Sequence, residues 1–168
     1  MCLEALGEPA VDRREVLGVE DPTLTRMLAA RMGEGHRLSL VRSERALTDC
    51  RPVSLFSIQT ARQLGEEIGT ALDKLRFRAN VYLDLGSAPG FAEDGFVGKT
   101  LRLGPKVTIA VLERDSRCKM ITIDPDTAEP SGAILRQVSR AHEGMAGVYG
   151  AVLVEGMVRR GDEVELLT

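Results

Sequence analysis

The fold of this chain is indicated most clearly by one stretch, which reads Val107-Thr108-Ile109-Ala110-Val111-Leu112-Glu113-Arg114-Asp115-Ser116-Arg117-Cys118. Its first half, residues 107–112, is apolar and rich in β-branched side chains, which predicts a buried strand. A second strand-like stretch follows at residues 118–123. We therefore expect Cys118 to lie where one strand leads into the next.

Other short segments show the same strand character on both sides of this stretch. Three segments have helical spacing instead: one begins at Asp21-Pro22 and ends at Gly33, one follows the N-cap residue Ser57 and ends at Gly69, and one spans residues 133–141. The further predicted strands are residues 37–42, 52–56, 80–85, 99–103, 147–154 and 163–167.

These helices do not alternate regularly with the strands, which disfavours a doubly wound α/β sheet. We predict a mainly β protein with helices, of the α+β class, in which a β-barrel core carries about three packed helices. Closing the sheet would remove exposed strand edges. The length of 168 residues suits one domain over residues 1–168, with its core at about 37–168 and a loosely ordered leader at 1–19.

Composition excludes several classes of protein. The net charge is −3, aromatic residues make up 4% and Trp is absent, so we expect no nucleic-acid partner. Residues 1–19 lack the apolar core of a signal peptide, and no apolar run is long enough to cross a membrane. The three cysteines are an odd number without a short-spaced pair, which favours a reduced cytoplasmic location over a disulfide framework.

Cys118 is the strongest candidate for a reactive or metal-binding residue. Arg117 and Lys119 flank it, and neighbouring cations stabilise the thiolate, which attacks electrophiles and binds soft metals. The alternative is an ordinary packed thiol, because free cysteine is among the most buried residue types.

A second candidate is the run Arg76-Phe77-Arg78-Ala79-Asn80, which precedes a predicted strand. Alternation would place Arg76, Arg78 and Asn80 on one face, where two guanidinium groups and an amide would suit a planar anionic ligand. The alternative is that these arginines are solvent-exposed and form surface ion pairs with nearby carboxylates such as Glu93.

Three further residues have both a structural and a functional interpretation. Ser57 and Thr60 lie in the first turn of a predicted helix, where they either cap the helix or face a phosphate. Tyr149 lies among the small residues of Gly147-Val148-Tyr149-Gly150, which suits either core packing or the close approach of a ligand.

Taken in order, these motifs resemble the MOSC domain, the C-terminal module of molybdenum cofactor sulfurases, which is shared with the mitochondrial amidoxime-reducing component. The resemblance covers residue 37 to the C-terminus and rests on Arg76–Asn80, Phe91–Gly98, Ser116–Cys118 with Asp124–Thr127, and Gly147–Tyr149. It implies a barrel-rich fold, a molybdenum cofactor of the molybdopterin type and an association with pyridoxal phosphate-binding proteins. It makes Cys118 the catalytic residue and metal ligand, and its implied cofactor-binding residues are Ser57, Thr60, Arg76, Arg78, Asn80, Ser116, Arg117 and Tyr149.

The resemblance leaves three functions open. The first is reduction of N-hydroxylated compounds, with electrons from a separate electron-transfer protein. The second is a sulfur carrier or cofactor-transfer module, in which Cys118 receives a persulfide from a cysteine desulfurase. The third is a barrel that has lost ligand binding, since Ala79 replaces the family's usual proline and Phe91 and Phe96 stand where tryptophans are common.

Overall fold

The computed structural model describes the backbone of residues 2–4 and, in full, residues 17–33, 35, 37–41 and 50–167. The chain forms two compact units, residues 7–47 and residues 1–6 with 48–168. The interpretation of residues 1–168 as one domain stays a prediction. No helix among the described residues is long and apolar enough to span a membrane.

In the smaller unit, helix α1 spans Pro22–Met32 as expected. Asp21 caps it, because its Oδ1 accepts a hydrogen bond from the Thr23 N–H at 2.8 Å. The predicted strand at residues 37–42 is wrong for residues 37–41, which form no strand, and Arg42 lies outside the described residues. Leu40 and Val41 are 55% and 71% exposed, so these two apolar side chains are not packed as those of a half-buried strand would be.

The larger unit contains one curled, half-barrel sheet and two helices. The strands are β1 Cys2–Glu4, β2 Val53–Ser57, β3 Val81–Asp84, β4 Thr100–Leu103, β5 Val107–Ser116, β6 Met145–Val154 and β7 Val164–Leu167, and the helices are α2 Ile58–Ile68 and α3 Gly132–Ala141. The strand order is β1-β3-β2-β6-β5-β4-β7, and all the neighbouring strands are antiparallel except β2 and β3, which are parallel and connected by α2. The predicted α+β class is confirmed.

The sheet bends mainly along its two long central strands, β5 and β6. Their pairing shifts register at Thr108/Ile109, Val111/Glu113 and Arg114/Ser116, and such bulges bend a strand and increase its twist. The sequence predicted that this strand would end at Leu112, but β5 continues to Ser116. It therefore delivers Arg117 and Cys118 directly at its end.

The strand predicted at residues 118–123 is wrong, because Lys119–Thr122 form a short 3-10 helix. The Thr122 hydroxyl donates to the Lys119 carbonyl at 2.7 Å, which closes the turn locally. Ile121 and Thr122 are both buried, although they are adjacent. A strand would place adjacent side chains on opposite faces, so the turn is what brings both to the interior.

The extended conformation assumed for residues 76–80 is also wrong. Lys74–Phe77 form a 3-10 helix capped by Asp73, whose Oδ1 accepts from the Leu75 N–H at 2.8 Å. Arg78 follows in the left-handed region with φ 52°. Arg76, Arg78 and Asn80 therefore do not share one strand face, and each meets a different environment.

Apolar side chains pack on both faces of the sheet. One cluster lies among β2 to β7 and includes Leu55, Leu101 and Ile109. The other lies under helices α2 and α3, where Phe56 stacks on Phe77 with ring centroids 4.1 Å apart. This second cluster also contains Ile121, so it supports the segment that follows Cys118.

We expect Gly147→Ala in β6 to lower the free energy of unfolding strongly, and Gly144→Ala is the matched control. Both have positive φ, at 84° and 78°. A Cβ at Gly147 would lie 2.8 Å from Leu55 O and 3.0 Å from Arg117 Nη2, whereas a Cβ at Gly144 would meet nothing within 4 Å. Gly144→Ala should cost about 1 kcal/mol from backbone strain, and Gly147→Ala at least about 2 kcal/mol more because of overpacking. Urea unfolding of both variants tests this, and equal losses would contradict it.

Candidate functional site

Cys118 is exposed and lies between the end of β5 and the short helix Lys119–Thr122. Its thiol is therefore accessible to solvent, which rules out the alternative of an ordinary packed cysteine. Among the described residues, no group of three His, Cys, Asp or Glu side chains could hold a metal ion. A metal at Cys118 would need other ligands, such as those of a cofactor.

Arg117, beside the thiol, turns away from it into the protein. Its side chain is only 7% exposed; Nε donates to Ala146 O at 2.6 Å and Nη1 donates to Phe77 O at 2.9 Å. Nη2 lies 2.8 Å from the buried Asp115 carboxylate. The guanidinium thus ties the Cys118 segment to β6 and to the residue before Arg78. Burial lowers the pKa of Arg117, and Asp115 opposes that shift.

Arg76 braces the same segment from its other side. Its Nη1 donates to Thr122 O at 3.2 Å, and its Nη2 pairs with the Asp124 carboxylate. Hydrogen bonds from the backbone N–H groups of Thr127 and Asp126 lower the pKa of Asp124, so this carboxylate is a well-held partner for Arg76. Arg76 and Arg117 therefore clamp the backbone on both sides of Cys118.

Arg78 differs from both. It is exposed, and no described residue forms a hydrogen bond or ion pair with its guanidinium. Asn80 is bound to strand β2, because its Oδ1 accepts hydrogen bonds from the Ser54 N–H at 2.9 Å and from the Ser54 hydroxyl at 3.0 Å. Arg78 is therefore the cation of this run that remains available for an anionic ligand.

Ser57 and Thr60 are fully buried at the N-terminus of α2, and Ser57 caps that helix as predicted. The Thr60 hydroxyl donates to Glu93 Oε1 at 2.7 Å, and the Ser57 N–H donates to the same oxygen at 3.2 Å. The other oxygen, Glu93 Oε2, has no hydrogen-bond partner among the described residues. The helix N-terminus does bind an anion, but that anion is a carboxylate of the chain itself.

Sequence reasoning considered Glu93 only as a possible partner for the arginines, and missed that it is buried. The signal was its position in Phe91-Ala92-Glu93-Asp94-Gly95-Phe96, a short segment bounded by two phenylalanines, which folds as a 3-10 helix over Ala92–Phe96. The adjacent Asp94 forms an ion pair with Arg114 at 2.9 Å, and burial raises the pKa of Asp94.

The remaining predicted residues lie on the central strands. Ser116 is exposed at the end of β5. Tyr149 is half-buried in β6, opposite Glu113 on β5 and Ser54 on β2. The glycines around Tyr149 admit protein groups, since a Cβ at Gly150 would lie 2.5 Å from Ile109 Cγ2. The close approach predicted at Gly147 and Gly150 is therefore made by other groups of the protein, namely Leu55 O at Gly147 and Ile109 at Gly150.

Two solved structures have a similar fold. The protein YiiM from Geobacillus stearothermophilus matches with a TM-score of 0.52 at 17% identity, over 70% of this chain and 55% of its own. The YuaD protein from Bacillus subtilis matches with a TM-score of 0.54 at 19% identity, over 69% of this chain and 63% of its own. This chain thus spans less than two thirds of the length of either protein.

Sequence comparisons agree with the fold. No curated protein sequence matches the chain significantly. The family model of the MOSC domain matches residues 42–165, which is most of the chain and includes Cys118 and both clamping arginines. The chain belongs to the MOSC domain family.

Proposed function

We propose that this protein binds a molybdenum cofactor of the molybdopterin type, with Cys118 as the metal ligand, and reduces N-hydroxylated compounds. The MOSC domain is associated with binding of this cofactor in general. The observation that carries the proposal is the exposed thiol of Cys118 on a segment that Arg76 and Arg117 hold from both sides. A fixed, accessible soft donor is what a thiolate-ligated metal requires.

The donor groups near Cys118 fit such a cofactor in part. Cys118 would supply the thiolate and exposed Arg78 a cation for the phosphate, in line with the preference of guanidinium for that group. Asn80 has its carbonyl oxygen bound to Ser54, which leaves its amide N–H groups for a pterin edge. Ser116 and Tyr149 complete the proposed contacts.

Four of the residues implied by the family resemblance would support the site through other residues and would not contact the cofactor. Arg76 and Arg117 donate to protein carbonyls and carboxylates, so we assign them to positioning Cys118. Ser57 and Thr60 bind Glu93, so we assign them to fixing the N-terminus of α2. Each of these side chains would have to break a buried or partly buried hydrogen bond before it could contact a ligand.

The reaction requires a partner. When bound, the cofactor would supply the redox chemistry, in which an N–OH group takes up two electrons and two protons and yields an N–H group and water. The chain's residues would bind and orient the reactants, and a separate electron-transfer protein would deliver the electrons.

A sulfur carrier is the second candidate, and the exposure of Cys118 favours it as well. The Cys118 thiolate would attack the outer sulfur of a desulfurase persulfide, and the desulfurase thiolate would leave. This step moves one sulfur atom without net oxidation. A protein donor can reach only a thiol that lies at the surface.

Cys118→Ala should abolish molybdenum retention. Protein from a host that makes the cofactor should carry close to one molybdenum per chain by elemental analysis, and the variant should lose at least about tenfold, because no other described residue replaces the thiolate. Cys50→Ala is the control, since Cys50 is also exposed but contacts Glu113. Equal metal content in wild type and Cys118→Ala would exclude Cys118 as the ligand.

The two candidates differ in what Cys118 carries after exposure to a cysteine desulfurase and cysteine. A sulfur carrier should gain the mass of one sulfur atom at Cys118, which dithiothreitol removes. The reductase should instead keep its molybdenum and show no such adduct. Peptide mass spectrometry with Cys118→Ala as the blank distinguishes them.

Thr60→Val should lower stability without altering cofactor retention. The substitution removes the hydroxyl that donates to Glu93 and that accepts from the Phe91 N–H at 2.7 Å. We expect a loss of about 1–3 kcal/mol in urea unfolding, the cost of leaving buried polar groups unpaired. A variant of unchanged stability that loses molybdenum would instead place Thr60 at the cofactor.

A further inference from the structure

A groove lies beside the short helix that follows Cys118. Its volume is about 530 Å³, which is within the range of small-molecule sites. We call it the α3 groove; it is lined by Lys119, Thr122, Pro130, Gly132, Leu135, Arg136, Ser139 and Arg140.

Hydrogen bonds hold the walls of this groove together. The Ser131 N–H donates to Thr122 O at 2.7 Å, and Ile123 and Pro130 form an antiparallel bridge. Helix α3 is anchored in the core through Ile134 and Val138, which are 1% and 0% exposed. Backbone hydrogen bonds and buried side chains therefore fix the two walls of the groove relative to each other.

The charge of the α3 groove is one-sided. Its lining includes three cations, Lys119, Arg136 and Arg140, and no carboxylate. None of the three forms an ion pair with a described residue, although the chain as a whole has a net charge of −3. A second groove along α2 is balanced, since Arg62 and Lys74 line it together with Glu66 and Asp73. The α3 groove therefore concentrates positive potential in a predominantly acidic protein.

The rest of the lining is largely apolar. Leu135 is half-buried in the groove, next to Pro130 and the hydrocarbon stems of the arginines. Such a surface suits a ligand with an apolar body and an anionic head group, because guanidinium and ammonium groups bind carboxylate, sulfonate and phosphate alike. Lys119, which lines the groove, directly follows Cys118 in the chain, although Cys118 is not itself a lining residue.

We propose that the α3 groove binds a small anion with an apolar body, held by Lys119, Arg136 and Arg140. Its role as the substrate of the Cys118 site rests on the proposed function. The binding itself does not, because it requires neither cofactor nor turnover. The substrate class inferred from this groove is an apolar molecule that carries a carboxylate, sulfonate or phosphate.

The probe is 1-anilinonaphthalene-8-sulfonate, whose sulfonate and aromatic rings match the groove, and its neutral analogue 1-anilinonaphthalene. Fluorescence titration of the wild type should give saturable binding of the sulfonate that weakens as NaCl rises, since salt screens exposed charges. The double variant Arg136→Gln/Arg140→Gln should bind the sulfonate at least about tenfold more weakly, because two charged contacts are lost. Binding of the neutral analogue should not change.

Two controls separate charge from fold. Arg136→Lys/Arg140→Lys retains both charges and should stay within about threefold of wild type. Arg62→Gln removes a cation from the α2 groove and should have no effect. Circular dichroism should show that every variant is folded.

The proposal is overturned if the glutamine double variant binds the sulfonate as tightly as wild type. It is also overturned if a polyglutamate peptide, but not the sulfonate, binds with this charge dependence, since the groove would then dock an acidic protein segment. If the groove binds the sulfonate but Cys118→Ala keeps its molybdenum, the anion site stands and the proposed function fails.

Discussion

The site of this protein depends on one buried cation. Arg117 follows the last residue of β5, and its guanidinium joins Ala146 on β6, Phe77 at the end of a 3-10 helix, and Asp115. Burying a charge is costly unless it is paired and hydrogen-bonded, and here carbonyls and a carboxylate compensate. Three segments distant in sequence therefore meet at one side chain. The residue directly after it, Cys118, is held at the surface as a consequence.

A second buried side chain, that of Glu93, organises the N-terminus of α2. Glu93 places its carboxylate at the N-terminus of α2, where free N–H groups and the helix dipole favour an anion. It thereby joins the segment around Phe91 to β2 and α2. The Arg117 guanidinium lies 5.6 and 5.5 Å from the ring centroids of Phe56 and Phe77. Both buried groups have partners within the protein, but Glu93 Oε2 and Arg117 Nη2 each lack a hydrogen bond among the described residues. Arg78 and the three cations of the α3 groove are instead exposed, and none of them forms an ion pair with a described residue.

This separation of buried, paired charges from exposed cations explains how a chain with a net charge of −3 can have a positively charged surface region. The arginines that brace the backbone are buried and paired, whereas those that line the α3 groove are exposed and lack acidic neighbours among its lining residues. Rigid support and an accessible thiol are both needed for metal ligation, because a ligand held loosely loses its geometry. The proposed cofactor and the proposed anion would thus approach the same braced segment.

Local sequence determined most of the elements and the position of the thiol. Caps such as Asp21 and Ser57 and the apolar periodicity of residues 107–112 and 147–154 act within a few residues, so they could be read directly. Tertiary structure decided which arginine is exposed and which faces the core, and it replaced the predicted strand at 118–123 by a 3-10 helix. The partners responsible, Phe77, Ala146 and Glu93, lie 29 or more positions from the residues they contact. A pattern of neighbouring residues contains no information about contacts made over such separations, because only the folded sheet brings them together.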